Sequence, residues 1–81
     1  MGKVLTALKV FPEEGVDVEQ LRESMTKVEG YNTAKVEDYV FGQKIVRATF
    51  ICEDGENKDY EEIVAKVAGV SSCQVEEVGL I

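Results

Sequence analysis

The chain has 81 residues, which suits one small domain over residues 1–81 and leaves no room for a second hydrophobic core. Nine basic residues stand against sixteen acidic ones, and the formal charge of −7 argues against direct binding of DNA or RNA through phosphates. The 44% of hydrophobic residues is ordinary for a soluble protein, and no stretch approaches the roughly 20 apolar residues of a membrane span, so no membrane partner is expected.

The first predicted element is a strand over residues 3–11, "KVLTALKVF". Apolar residues occur at both odd and even positions, which indicates a strand inside a sheet. After the loop "PEEG", a helix is predicted to begin at Asp17, where Gln20 completes a capping box, and to end at Gly30. The helix has an apolar stripe made of Val18, Leu21, Met25 and Val28.

The alternating pattern predicts two strands, over residues 32–41 and 43–54, that form a hairpin around Gly42. Phe41 lies beside this glycine, at a parity that points away from the face that the helices need. Turns face water, so a large apolar ring at this position has little in its own chain to cover it. Phe41 is therefore the residue for which a binding role must be considered.

The second half of the chain predicts a loop at 54–58, "DGENK", then a helix and a last strand. Asp59, with Glu62 three residues later, begins the helix, and Gly69 ends it. The last strand is "VSSCQVEEV". The apolar stripe of this second helix consists of Tyr60, Ile63, Val64 and Val67.

The resulting order βαββαβ predicts an α+β fold, the ferredoxin-like plait. Two right-handed crossovers place the four antiparallel strands in the order 4-1-3-2, with both helices on one face of the sheet. No helix remains for the other face, so we expect modest exposure of the side chains there. These are Leu5, Ala7, Ile45, Arg47, Thr49 and Ile51.

Cys52 and Cys73 fall on strands three and four, which strand one separates. Two strand spacings put the thiols roughly 10 Å apart, beyond the reach of a disulfide. Two free thiols are typical of a reducing compartment, which favours a cytoplasmic protein. The chain has no histidine, so neither a zinc site nor a Ser–His or Cys–His pair is available.

Other motifs do not predict catalysis. No glycine-rich phosphate loop precedes either helix, and "EDGENKD" lacks the ligand spacing of a calcium loop. Adjacent carboxylates such as Glu61–Glu62 fit a solvated surface. We therefore expect no enzyme activity, no metal and no cofactor, and the plait by itself does not select a function.

Three segments resemble a known family. They are "LKVFPEEGVDVEQLRESM" near the start, "FGQKIVRATFICED" from the turn onward, and "VAGVSSCQVEEVGLI" at the end. In this order, and over nearly the whole chain, they resemble the guanine-nucleotide exchange domain of translation elongation factor 1-beta, above all its archaeal form, which consists of this domain alone. The resemblance implies an exchange factor that releases GDP from elongation factor 1-alpha during protein synthesis.

The resemblance also implies residue roles. In the family the aromatic ring of the Phe-Gly turn enters a pocket of the GTPase, a role that falls on Phe41, with Gly42 permitting the turn. The short apolar tail, Leu80 and Ile81, is expected to dock as well, and Lys44 is a basic side chain close to the turn. The family carries a basic residue just before its last apolar residues, whereas this sequence has none after Lys66.

Three alternatives stay open at this stage, one of which is a purely structural component of a larger complex. Phe41 could fold back onto the sheet edge or the first helix and serve only the core. The domain could also be a ligand-sensing or oligomerising plait of the ACT kind, which assembles through its open face or its edges. A protein that is monomeric when free, as we expect here, favours the exchange factor.

Overall fold

The structure is a computed structural model that describes residues 2–56 and 58–81; Asn57 of the predicted 54–58 loop lies outside them, as does Met1. Four antiparallel strands form one sheet in the order β2-β3-β1-β4, which confirms the predicted plait. Neither helix in the described part of the chain has the length and apolarity of a membrane span. The elements are β1 (Lys3–Pro12), α1 (Val18–Met25), β2 (Tyr31–Asp38), β3 (Lys44–Glu53), α2 (Tyr60–Ala65) and β4 (Val70–Leu80).

The core lies between the two helices and one face of the sheet. Even-numbered residues of the two central strands point to this face, because successive side chains of a strand alternate. Phe50 of β3 stacks on Tyr60 of α2 with 4.9 Å between ring centroids. Each fully buried aliphatic side chain contributes about 1.5–3 kcal/mol. The buried cluster also contains Leu8, Val10, Leu21, Met25, Val46, Ala48, Val64 and Val70.

Both helices are shorter than predicted. The Asp17 carboxylate caps α1 by accepting from the Glu19 amide at 2.9 Å, so it uses a different amide from the predicted capping box. After Met25 the backbone tightens, and Val28 N–H donates to the carbonyl of Met25, three residues back, at 3.1 Å. This tighter turn carries the chain to Gly30, whose φ is +91°. Gly30 therefore ends the tighter turn, whereas the α-helix itself ends earlier, at Met25.

Most side chains on the sheet face without helices are half-buried, in line with the expected modest exposure, but Ala7 and Ile45 are buried. A β-bulge in β4 between the pairs Ala7–Glu77 and Leu8–Val75 leaves Glu76 as the extra residue. Glu76 forms ion pairs with Arg47 of β3 and, at 3.6 Å, with Lys9 of β1. An ionic network therefore covers the middle of this face.

The two cysteines are free, as predicted, but they are farther apart than 10 Å. Cys52 pairs across β3 and β1 with Val4, whereas Cys73 pairs across β4 and β1 with Val10. Six residues of β1, about 20 Å, separate these two positions along the strand. Burial raises the pKa of the Cys73 thiol, and the thiol donates to the Glu61 carbonyl at 3.1 Å, which is typical of a structural cysteine.

Candidate functional site

The hairpin between β2 and β3 ends in a tight turn formed by residues 40–43. The Gln43 amide donates to the Val40 carbonyl at 3.2 Å, and the two central residues, Phe41 and Gly42, have φ of 57° and 75°. Positive φ at both central positions defines a type I′ turn, whose twist matches that of the flanking strands. The predicted hairpin is confirmed, but β2 ends at Asp38, so Phe41 belongs to the turn and not to the strand.

Phe41 combines two unfavourable features. Within residues 2–56 and 58–81 it is the single non-glycine residue with positive φ, a conformation that costs about 1–2 kcal/mol because Cβ crowds the backbone. Its ring is fully exposed, at 101% of the reference area. The structure therefore excludes the alternative in which this ring folds back onto the sheet edge or the first helix. Strain and exposure at one residue favour a function that lies outside the domain.

The neighbours of Phe41 keep the turn narrow. The Tyr39 amide donates to the Gln43 carbonyl at 2.7 Å, and Lys44 pairs with Asp38 at 2.9 Å at the base of the turn. This ion pair is exposed and is worth less than about 1 kcal/mol, so it does not hold the hairpin by itself. Val40 is 54% exposed and extends the apolar surface of Phe41.

An aromatic pair on the open face of the sheet supports the same hairpin. The rings of Phe11 and Tyr39 meet edge to face, with 5.3 Å between centroids and 73° between planes. Lys9 Nζ lies 5.6 Å from the centroid of the Tyr39 ring. The sequence pattern did not predict this pair, although Phe11 continues the odd-numbered series of β1 from Ala7 through Lys9.

Leu80 and Ile81 lie at the opposite end of the sheet from the turn. Leu80 pairs with Val4 at the start of β1, and the Ile81 amide donates to the Lys3 carbonyl at 2.9 Å. Strand β3 connects the two ends, since it begins at Lys44 and pairs Glu53 with Lys3. Ten residues of strand span about 30 Å. The predicted site residues thus form two groups, with Phe41, Gly42 and Lys44 at one end and the apolar tail at the other.

The tail is an exposed apolar surface of its own. Leu80 is 75% exposed, and Val78 and Ile81 are also exposed. A cleft of about 440 Å³ opens beside it on the helical face, with Val4, Val75 and Val78 among its lining residues. Both ends of the sheet therefore offer exposed apolar contact surfaces.

The residues that the structure describes contain no group of three or more side chains suited to hold a metal ion.

One family of known proteins matches this chain. The family described as EF-1 guanine nucleotide exchange domain matches residues 5–81, nearly the whole chain. A comparison with curated proteins found no match.

Proposed function

Because the chain belongs to the EF-1 guanine nucleotide exchange domain family, we propose that it promotes GDP release from elongation factor 1-alpha, with Phe41 as the anchor that enters the GTPase. The single observation that carries the role of Phe41 is its ring, fully exposed on a residue with left-handed backbone. A free domain gains nothing from either feature, whereas a complex buries the ring. Burial of one phenylalanine contributes about 1.5–3 kcal/mol.

The turn geometry favours an anchor. The Val40–Gln43 hydrogen bond closes the turn that carries Phe41 at the end of the paired strands, so its backbone is ordered before binding. Association costs less when the groups that become buried are already ordered. Aromatic residues in this position are typical hot spots of interfaces.

The mechanism requires no chemical step by the exchange factor. An exchange factor binds the nucleotide-free GTPase more tightly than the GDP-bound form. By thermodynamic linkage, it weakens GDP binding by the same factor that it gains in affinity. Phe41 acts in this way only if its pocket on the GTPase is better formed in the nucleotide-free state.

The tail is the second part of the proposed contact. Leu80 and Ile81 are exposed, and the sheet fixes them at the end opposite to Phe41. A GTPase that touches both groups must present two surfaces about 30 Å apart. Two separated contacts can hold a GTPase in a conformation that binds nucleotide less tightly.

Three finer properties belong to this proposal. The resemblance, which is closest to the archaeal form of the family, supports that form, and the two free thiols support the cytoplasm. The ionic network of Glu76, Arg47 and Lys9 supports a free monomer, because charged side chains make the open face a poor surface for sheet-to-sheet assembly. The same network weighs against an oligomerising plait of the ACT kind.

The test is the release of a fluorescent GDP analogue from elongation factor 1-alpha, measured over a range of concentrations of the exchange domain. Phe41→Ala removes the ring and is expected to raise the concentration that gives half-maximal release by about 10-fold or more. Ile63→Ala is the control, since Ile63 is a partly exposed apolar residue on α2, outside both contact groups. It should release GDP as the unmodified domain does.

Circular dichroism and thermal unfolding should show that Phe41→Ala keeps the fold, because the ring makes no contact that the core needs. If Phe41→Ala and Ile63→Ala both release GDP at the normal rate, Phe41 is not the anchor. If the unmodified domain does not accelerate release, the proposed function is wrong.

A further inference from the structure

Tyr39 directly follows β2 and lies two residues before Phe41. Its ring contacts Phe11, a residue on the far side of the neighbouring strand β3. Phe11 belongs to β1, and β3 lies between β1 and the hairpin's first strand, β2. The centroids of the Phe11 and Tyr39 rings are 5.3 Å apart, so the two rings must meet above β3. The contact therefore links the hairpin end to β1, the strand on the far side of β3.

The residue beneath this contact is Ile45. It lies on the face without helices, yet it is only 2% exposed. Ile45 pairs with Glu37 of β2, two residues before Tyr39, and follows Lys44 directly after the turn. On the other side, Val46 pairs with Val10, which places Phe11 next to Ile45. The two rings and Ile45 thus form a small apolar cluster apart from the main core.

We propose that Tyr39 is a positioning residue for the exchange activity: its edge-to-face contact with Phe11 holds the hairpin end in the conformation that presents Phe41. This inference rests on the proposed function and names the device that keeps its anchor ordered. Tyr39 does not touch the GTPase in this proposal. It acts only through the direction of the turn that follows it.

The backbone explains how the contact made by the Tyr39 ring affects the position of Phe41. The Tyr39 amide donates to the Gln43 carbonyl at 2.7 Å, so the residue that carries the ring also closes the turn. Lys9, which lies over the Tyr39 ring, adds a cation–π contact from the same strand as Phe11. Without these side-chain contacts, the hairpin end would keep its two backbone hydrogen bonds to Gln43 and the exposed Asp38–Lys44 pair, but it would lose its packing against β1.

The proposal predicts a particular kinetic signature. When only a fraction of the free molecules presents the binding conformation, the apparent dissociation constant rises by the inverse of that fraction. Tyr39→Ala should therefore raise the concentration for half-maximal GDP release by about three- to tenfold, the range expected for loss of one aromatic pair. The maximal rate at saturation should stay unchanged, because the bound complex still contains Phe41.

Two further variants separate positioning from stability. Tyr39→Phe keeps the ring and should restore normal half-saturation. Tyr39→Leu keeps apolar cover over Ile45 without the edge-to-face contact, so it should fold even if Tyr39→Ala does not, and it should still require more domain for half-maximal release. Nitrogen-15 relaxation of the Val40–Gln43 amides should show larger motion in Tyr39→Leu and Tyr39→Ala than in Tyr39→Phe. Phe11→Ala should reproduce the defect, and the double variant should be no worse than either single one.

The outcomes distinguish this inference from the function on which it rests. If Phe41→Ala is impaired but Tyr39→Ala and Tyr39→Leu match the unmodified domain, positioning by Tyr39 is wrong and the exchange function stands. If Tyr39→Phe is as impaired as Tyr39→Ala, the hydroxyl acts and the ring contact does not. A lower maximal rate with normal half-saturation would also overturn the inference, since it would place Tyr39 in the bound complex. A normal Phe41→Ala variant would remove the anchor itself.

Discussion

Two glycines with left-handed backbone have very different surroundings. Gly15, with φ of +84°, has open space where a Cβ would lie. At Gly30, with φ of +91°, a Cβ would lie 2.3 Å from Tyr60 Oη and 3.0 Å from the backbone oxygen of Ile51. The same position is tied to β3, because the Ile51 amide donates to the Gly30 carbonyl at 2.8 Å. Gly30 therefore permits a close approach between the end of the first helical segment and the sheet.

We expect Gly30→Ala to lower the free energy of unfolding by about 2–5 kcal/mol, the sum of left-handed strain and overpacking. Gly15→Ala is the matched control and should lose only about 1–2 kcal/mol, from strain alone. Urea unfolding followed by circular dichroism measures both. Equal losses in the two variants would show that Tyr60 and its neighbours move aside at little cost.

Phe41 shows what one residue's sequence context can and cannot predict. Its place beside Gly42, between two alternating segments, predicted a turn with a ring that its own domain does not cover. The left-handed backbone could not be predicted, because phenylalanine disfavours it and only the twist of the paired strands imposes a type I′ turn. Tyr39 was missed for a related reason, since its partner Phe11 lies two strands away.

At the scale of the element, the hairpin has a suboptimal turn for a free domain. Asn-Gly is the preferred pair of a type I′ turn, whereas this chain has Phe41–Gly42. Asparagine adopts left-handed backbone more readily than other side chains that carry a Cβ. The hairpin therefore gives up local stability to display an aromatic ring.

Phe41→Asn is expected to raise the free energy of unfolding by about 0.5–1.5 kcal/mol, through relief of strain, and to lose the anchor. Phe41→Ala is the matched comparison, because it also removes the ring but keeps a side chain that disfavours this backbone. Thermal unfolding and GDP-release assays on the same samples measure both properties. An asparagine variant less stable than the alanine variant would mean that the turn is not strained at this residue.

The helices show the limit of sequence patterns for element boundaries. Apolar residues at spacings of three and four fit both an α-helix and a tighter helical turn, so the stripe through Val28 predicted a helix up to Gly30. The structure ends α1 at Met25 and α2 at Ala65, and each continues in turns with hydrogen bonds three residues back. Thr26 favours this change, since its hydroxyl donates to the Glu23 carbonyl at 2.6 Å.

At the scale of the whole molecule, strand order was predictable and the shape of the site was not. Four strands and two helices in this chain order, with right-handed crossovers, leave few other arrangements. The resemblance grouped Phe41 with Leu80 and Ile81 as one binding set. Antiparallel pairing places them at opposite ends of a molecule that is 41 Å long. Their separation follows from the register, which local patterns alone did not supply.

This separation predicts that the two contacts contribute independently to binding. Effects of substitutions more than about 7–10 Å apart usually add to within about 0.3–0.5 kcal/mol. We expect Phe41→Ala and Leu80→Ala each to weaken binding to nucleotide-free elongation factor 1-alpha, and the double variant to lose the sum of the two free energies. Titration calorimetry of the four proteins measures these values.

The matched comparison pairs Phe41→Ala with Tyr39→Ala, because the two residues lie only two positions apart at the same end of the hairpin. Once the ring of Phe41 is gone, its direction no longer matters, so this second double variant should lose little more than Phe41→Ala alone. The losses of binding free energy should therefore be additive for Phe41 and Leu80 but not for Phe41 and Tyr39. The loss of the Phe41 and Leu80 double variant could instead differ from the sum of the single losses by more than about 1 kcal/mol. That result would mean that the GTPase couples the two ends through one shared rearrangement, and the description as two independent contacts would be wrong.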